Sequence, residues 1–146
     1  MKKLEFKINI NASAKKVWDT MLAPESYKKW VQVSWPDSHY VGQWRQGEDI
    51  KFVSSSGEGT LARLTEVSPH QVIAAEHIAV ILKDGSHDST SDVAKGWVGT
   101  TETYTFTEKD GKTEVKVEII TNPDWEKMFN DGWPNALKKL KQITEE

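Results

Sequence analysis

The stretch that most limits what this chain can fold into is its last two dozen residues. Trp125, Met128, Phe129, Trp133, Leu137, Leu140 and Ile143 recur three or four positions apart, which lays one apolar stripe along a long helix. A stripe of that length must be covered, and the rest of the chain offers mainly strands. Residues 3–11 place Leu4, Phe6, Ile8 and Ile10 on alternate positions, the period of a strand with one wet face. Segments 39–46, 49–55, 60–67 and 71–82 are rich in β-branched and aromatic residues and are separated by turn chemistry at Gln46-Gly47, Ser56-Gly57 and Ser68-Pro69. Strands 97–107 and 113–121 flank Asp110-Gly111, the strongest short hairpin signal in the chain. These elements predict an α+β domain in which one antiparallel sheet and one long helix bury each other's apolar faces.

Between the first strand and the rest, residues 11–13 offer capping side chains for a helix over 14–22, where Val17, Trp18, Met21 and Leu22 recur at helical spacing. Pro24 then starts a short second helix reaching about Trp30, because a first turn has no use for the N–H that proline lacks. Residues 31–38 are irregular around Trp35-Pro36, and 83–96 are polar and aperiodic, which predicts a long surface loop. Asn122-Pro123 opens the last helix, and Gly132 with Pro134 predicts a kink or break near 131–134. The order is β–αα–β6–α in a single domain over 1–146. At 146 residues there is room for one core, large enough to be stable without metal or disulfide.

The hairpin permits a sharper statement. A two-residue Asp110-Gly111 turn pairs Lys109 with Lys112, and that register sets Phe106 opposite Val115, Tyr104 opposite Val117 and Glu102 opposite Ile119. The inward face then contains one acid, Glu102. If the 83–96 loop is centred between its flanking strands, His77 falls opposite Glu102, Ala75 opposite Tyr104 and Ile73 opposite Phe106. A carboxylate and an imidazole in an apolar layer need partners, since unpaired burial costs several kcal/mol. The pair reads either as a structural contact closing the core or as a polar handle that orients a ligand.

The ordered motifs SAKKVWDTML at 13–22, VGQWRQGEDIKF at 41–52, GTLARLTEVSPHQVI at 59–73, EHIAVILKDGSHD at 76–88, ETYTF and DGKTEVKV within 102–117, and GWPNALKKL at 132–140 span nearly the whole chain. Together they resemble the START-like, Bet v 1-like (SRPBCC) superfamily and, within it, the family named for activators of the heat-shock chaperone ATPase. The resemblance implies a helix-grip fold, a curved antiparallel seven-stranded sheet wrapped around a long C-terminal helix. It also implies a cavity between them that holds an apolar small molecule in many relatives.

Composition removes several function classes. The absence of cysteine excludes disulfides, thiol nucleophiles and cysteine-ligated metals. A net charge of −3 speaks against a general nucleic-acid binder. No apolar run reaches the roughly 18 residues of a membrane span, so a cytoplasmic protein is expected. The SSSGEG segment at 54–59 lacks the helix and lysine of a phosphate loop. His87, Asp88 and Asp92 have no recognised metal-ligand spacing, so no metal and no cofactor are expected.

Seven tryptophans gather either in the core or around a ligand. The expected function is a binding module for an aromatic or lipid-like small molecule, without catalytic residues. His77 and Glu102 fix its polar end, Tyr104, Trp125, Phe129 and Trp133 supply contact area, and Trp44 and Phe52 are candidate opposite walls. Trp18, Trp30, Trp35 and Trp97 are assigned to helix packing or the rim. The alternatives are a cyclase- or hydrolase-type enzyme using the His77–Glu102 pair, and a chaperone-interacting domain. The oligomeric expectation is a monomer or weak dimer.

Overall fold

Alternation of apolar and polar residues becomes strand pairing along most of the chain. The computed structural model describes residues 1–146 and has eight strands: β1 (Lys2–Ile10), β2 (His39–Val41), β3 (Asp49–Val53), β4 (Gly59–Ser68), β5 (Val72–Ile81), β6 (His87–Asp88), β7 (Thr101–Lys109) and β8 (Lys112–Thr121). Seven of them form one antiparallel path in the order β1-β8-β7-β5-β4-β3-β2, and the two-residue β6 attaches to β5. The sheet curls as a half-barrel around the C-terminal helix, consistent with the helix-grip fold.

The helices are α1 (Ala14–Leu22), α2 (Pro24–Val31), α3 (Asp92–Trp97) and α4 (Glu126–Thr144). Ser13 caps α1 by accepting from the Lys16 N–H at 3.2 Å, and Pro24 occupies the first turn of α2. Asn122 caps a single 3-10 turn, Pro123–Trp125, that leads into α4. On α4 the residues Phe129, Trp133, Ala136, Leu137 and Leu140 are buried, and they join one core with α1, α2 and the inner face of the sheet.

The hairpin register is as the turn chemistry dictates. Asp110 and Gly111 both take positive φ, 55° and 76°, the geometry of a tight two-residue turn. Lys109 pairs with Lys112, Phe106 with Val115, Tyr104 with Val117 and Glu102 with Ile119.

Four expectations need correction. The β5–β7 register is slipped by two residues, so that Ala75 faces Glu102 and Ile73 faces Tyr104. An even slip keeps every side chain on its predicted face, and His77 becomes a diagonal neighbour of Glu102. The slip arises in 83–96, which is not one open loop but contains β6 and α3. Ser91 caps α3 by accepting from the Ala94 N–H, and Trp97 lies on this helix, not in a strand. Strand β2 is three residues long, where the segment 39–46 suggested eight, and Trp44 falls in the connection after it.

Finally, α4 runs unbroken for 19 residues through Pro134. Gly132 lets the Trp35 indole approach closely, since an added Cβ would stand 2.6 Å from it, and the Ser34 hydroxyl donates to the Gly132 carbonyl at 2.6 Å. The segment after α2 is thereby clamped on α4.

One irregularity shapes the site. Between Leu61↔Ala79 and Ala62↔His77 the β4–β5 register shifts, leaving Ile78 without a counterpart. A bulged residue reverses the alternation beyond it. His77, Ala75 and Ile73 therefore face inward, and past the bulge Val80 does so with Thr60 and Phe52, while Val53, Leu61, Ala79 and Ile81 form a separate buried cluster.

Candidate functional site

A cavity of about 390 Å³ lies between the sheet and the first half of α4, lined by 17 residues of which 13 are hydrophobic. Its floor is built by the strand period: His77 from β5, and Glu102 and Tyr104 from β7, two positions apart and so on one face. Its roof is the helical stripe, with Trp125 from the entering turn and Met128, Phe129 and Trp133 from α4. One side wall comes from α2 and the segment after it, through Tyr27, Trp30, Val31, Trp35 and Ser38. The opposite side comes from α3, through Val93 and Trp97. Val93 and Met128 are the exposed members, 68% and 36%, and they mark the mouth.

The floor carries the only acid of the lining. Glu102 Oε2 accepts from the Tyr104 hydroxyl at 2.6 Å, and Oε1 lies 3.4 Å from His77 Nε2, an ion-pair distance without hydrogen-bond alignment. Burial pushes the Glu102 carboxyl up, but the nearby His77 ring and the Tyr104 hydroxyl outweigh it and hold the group below the usual carboxylate range. The same negative charge, added to burial, pushes the Tyr104 and Tyr27 hydroxyls far up, so both stay protonated donors.

The His77 ring is 2% exposed and lies between Trp97, at 4.8 Å between centroids, and Phe52, at 5.9 Å. Both its ring nitrogens and the indole N–H groups of Trp97 and Trp133 have no hydrogen-bond partner. Each unmet buried group costs about 1–3 kcal/mol relative to a satisfied one. Trp125 and Trp30 differ: their indole N–H groups donate to the Gly96 and Met21 carbonyls at 3.1 and 3.0 Å. Trp133 is the hub of the aromatic wall, with the rings of Trp35, Tyr104, Trp30 and Phe6 at 5.4, 5.6, 5.9 and 6.5 Å.

Of the residues singled out from the sequence, His77, Glu102, Tyr104, Trp125, Phe129, Trp133 and Phe52 line the cavity. Trp44 does not: it packs outside it, between Tyr40 and Phe52, at 5.3 and 5.8 Å. Trp30, Trp35 and Trp97, read as packing or rim, line the cavity as well, while Trp18 packs on Phe106 and His70. Trp97, expected at the start of strand 97–107, instead ends α3. The signal for α3 is local: Asp88 Oδ1 accepts from the Thr90 and Ser91 N–H groups, and Ser91 in turn caps the helix, an Asp and a Ser spaced to stop one turn and start another. No cluster of three or more His, Asp or Glu is placed to hold a metal ion, and no helix is long and apolar enough to cross a membrane.

The family model described as "Activator of Hsp90 ATPase homolog 1-like protein" matches residues 11–145. The chain belongs to this family. Among solved structures, this Hsp90-ATPase-activator-homologue-like chain is similar to the Aha1 dimer from Colwellia psychrerythraea, determined in solution. That match has 22% identity and a TM-score of 0.74, covering 99% of this chain and 97% of that one. Protein CV1439 from Chromobacterium violaceum matches at 17% identity and TM-score 0.71, covering 99% and 97% of the two chains. Protein MLL2253 from Mesorhizobium loti matches at 16% and 0.69, covering 97% and 96%. At these identities the likeness is one of fold. No curated protein matches the sequence.

Proposed function

We propose that this family member is a binding module for an apolar small molecule, held between the sheet and α4 with its polar end at His77 and Glu102. The observation that carries the reading is the cavity itself: about 390 Å³, within the usual range for ligand sites, with a largely hydrophobic wall and one cluster of polar groups on its floor. A structure built only for packing would fill that volume, because interiors are packed as closely as organic crystals.

The test uses a neutral apolar probe, N-phenyl-1-naphthylamine, added to the full chain. One-to-one binding is expected, with quenching of tryptophan emission. At a hundredfold excess over Kd it should add about 2.7 kcal/mol of apparent stability. Val80→Phe, which places a ring into the cavity from β5, should remain folded and lose the binding. Absence of binding by the unmodified protein together with an unchanged Val80→Phe profile would remove the reading.

One observation favours a second reading, general acid–base catalysis. His77 and Glu102 both belong to the cavity lining, Glu102 with 11% of its side chain open and His77 with its ring nitrogens covered by its neighbours. Proton transfer at such a pair contributes about 10²–10⁴-fold. A bound compound recovered chemically unaltered after prolonged incubation counts against it.

A further inference from the structure

Glu102 is an acceptor only half used. Tyr104 occupies Oε2, while Oε1 has no aligned donor, its nearest partner being His77 Nε2 at 3.4 Å. The side chain keeps 11% of its surface open and belongs to the cavity wall. A carboxylate offers about four acceptor positions, so the floor can take a further donor. It is charged at neutral pH, because His77 and Tyr104 more than offset the effect of burial.

No lysine or arginine lines the cavity. An anionic ligand would therefore meet a like charge at the floor, where the one basic side chain of the lining, His77, is already set against Glu102, and burying it would be heavily penalised. The wall also selects by shape. Nine of the 17 lining residues are aromatic, and such rings favour another ring, offset-stacked or edge-on, over an alkyl chain. A volume of about 390 Å³ corresponds to roughly a dozen water-sized groups, the size of a two- or three-ring molecule.

Resting on the ligand-binding reading above, we propose that the cavity selects a neutral aromatic alcohol or phenol, whose hydroxyl donates to Glu102 Oε1 while its rings lie among Trp30, Trp97, Phe129 and Trp133, and that it rejects carboxylic acids. A hydroxyl suits this floor because it donates one hydrogen bond to the open carboxylate oxygen without adding a charge to the cavity.

The experiment is a matched set of naphthalenes titrated calorimetrically into the full chain at neutral pH: 2-naphthol, 2-methoxynaphthalene, 2-naphthoate and 2-naphthylmethylammonium. The indole resonances of Trp97 and Trp133 locate each in the cavity. The expected order has 2-naphthol on the order of tenfold tighter than its methyl ether, as a hydrogen bond to a charged acceptor requires, and 2-naphthoate weakest. In Glu102→Gln the advantage of 2-naphthol over the ether should shrink several-fold, and 2-naphthoate should gain. If that variant does not fold, the ranking on the unmodified protein decides alone. Equal affinity for naphthol and ether, or tightest binding of the naphthoate or the ammonium, overturns this proposal and leaves the binding module standing. No naphthalene perturbing the Trp97 or Trp133 resonances overturns both.

Discussion

The two halves of α4 carry one continuous apolar stripe and meet different fates. From Ala136 to Thr144 the stripe is dry core: Leu137 and Leu140 are 2% and 0% exposed, and this helix packs along β1. In the first half Phe129 and Trp133 are as well covered, each at 3%, yet they border a cavity. The difference is one of shape rather than hydrophobicity. Aliphatic side chains interdigitate with the strand residues and fill the layer. Rigid indoles and phenyl rings facing other rings, as Trp133 faces Trp30, Trp35 and Tyr104, meet at 5–6 Å between centroids and leave volume between them. Exposure alone therefore does not distinguish a packing residue from a wall residue.

The largest expected effect separates the halves directly. Leu140→Ala removes a fully buried side chain from a filled layer and should cost about 2–5 kcal/mol in denaturant unfolding. Phe129→Ala, which would normally cost about 3–5 kcal/mol, should fall below that range, since one side of the ring already borders empty volume. Equal costs at the two positions would mean that the first half is packed as tightly as the second, and the contrast would be lost.

A smaller effect tests the floor of the open half. Glu102→Gln keeps the shape and loses the charge, and should cost on the order of 1–3 kcal/mol at neutral pH through the weakened bond from Tyr104 and the lost His77 contact. The pH dependence has a definite sign. The Glu102 carboxyl lies lower in the folded state than its ordinary value. Its contribution is therefore complete above the ordinary carboxylate pKa and disappears as the pH falls through the folded value. The gap between the two proteins should be widest near neutrality and narrow in acid. A gap independent of pH would show that the carboxylate is not held by charge.

How far the sequence discloses this arrangement depends on the range of the interaction involved. The hairpin at Asp110-Gly111 is local, so its turn chemistry specifies the β7–β8 register and places Glu102 and Tyr104 on the inner face. The stripe of α4 is periodic and equally plain. The β5–β7 register is not local: it depends on β6 and α3, whose few residues carry capping signals but no periodicity, so the slip by two residues and the position of Trp97 are hidden. The bulge at Ile78 is hidden for a related reason. Apolar residues fill both phases of Val72–Ile81, so alternation cannot say where it reverses. Pro134 misleads because a missing N–H on the exposed side of a well-packed helix need not break it.

The smallest effect concerns the clamp between the halves, where two opposing terms nearly cancel. Gly132→Ala removes the helix penalty of glycine, a gain of about 1 kcal/mol. The added Cβ would stand 2.6 Å from the Trp35 indole, and relieving such an overlap costs about 1–3 kcal/mol if the neighbour cannot move. Trp35 is half-buried and lies on the irregular segment after α2, so it can give way. The net change in stability should then stay within about 1 kcal/mol of zero. Trp35 also lines the cavity and packs edge-on to Trp133 at 5.4 Å, so its displacement should shift tryptophan emission and weaken binding of an aromatic probe. A loss of stability beyond about 2 kcal/mol, with emission unchanged, would mean that Trp35 is held as rigidly as the dry half. The open half of α4 would then be a fixed mould rather than an adjustable wall.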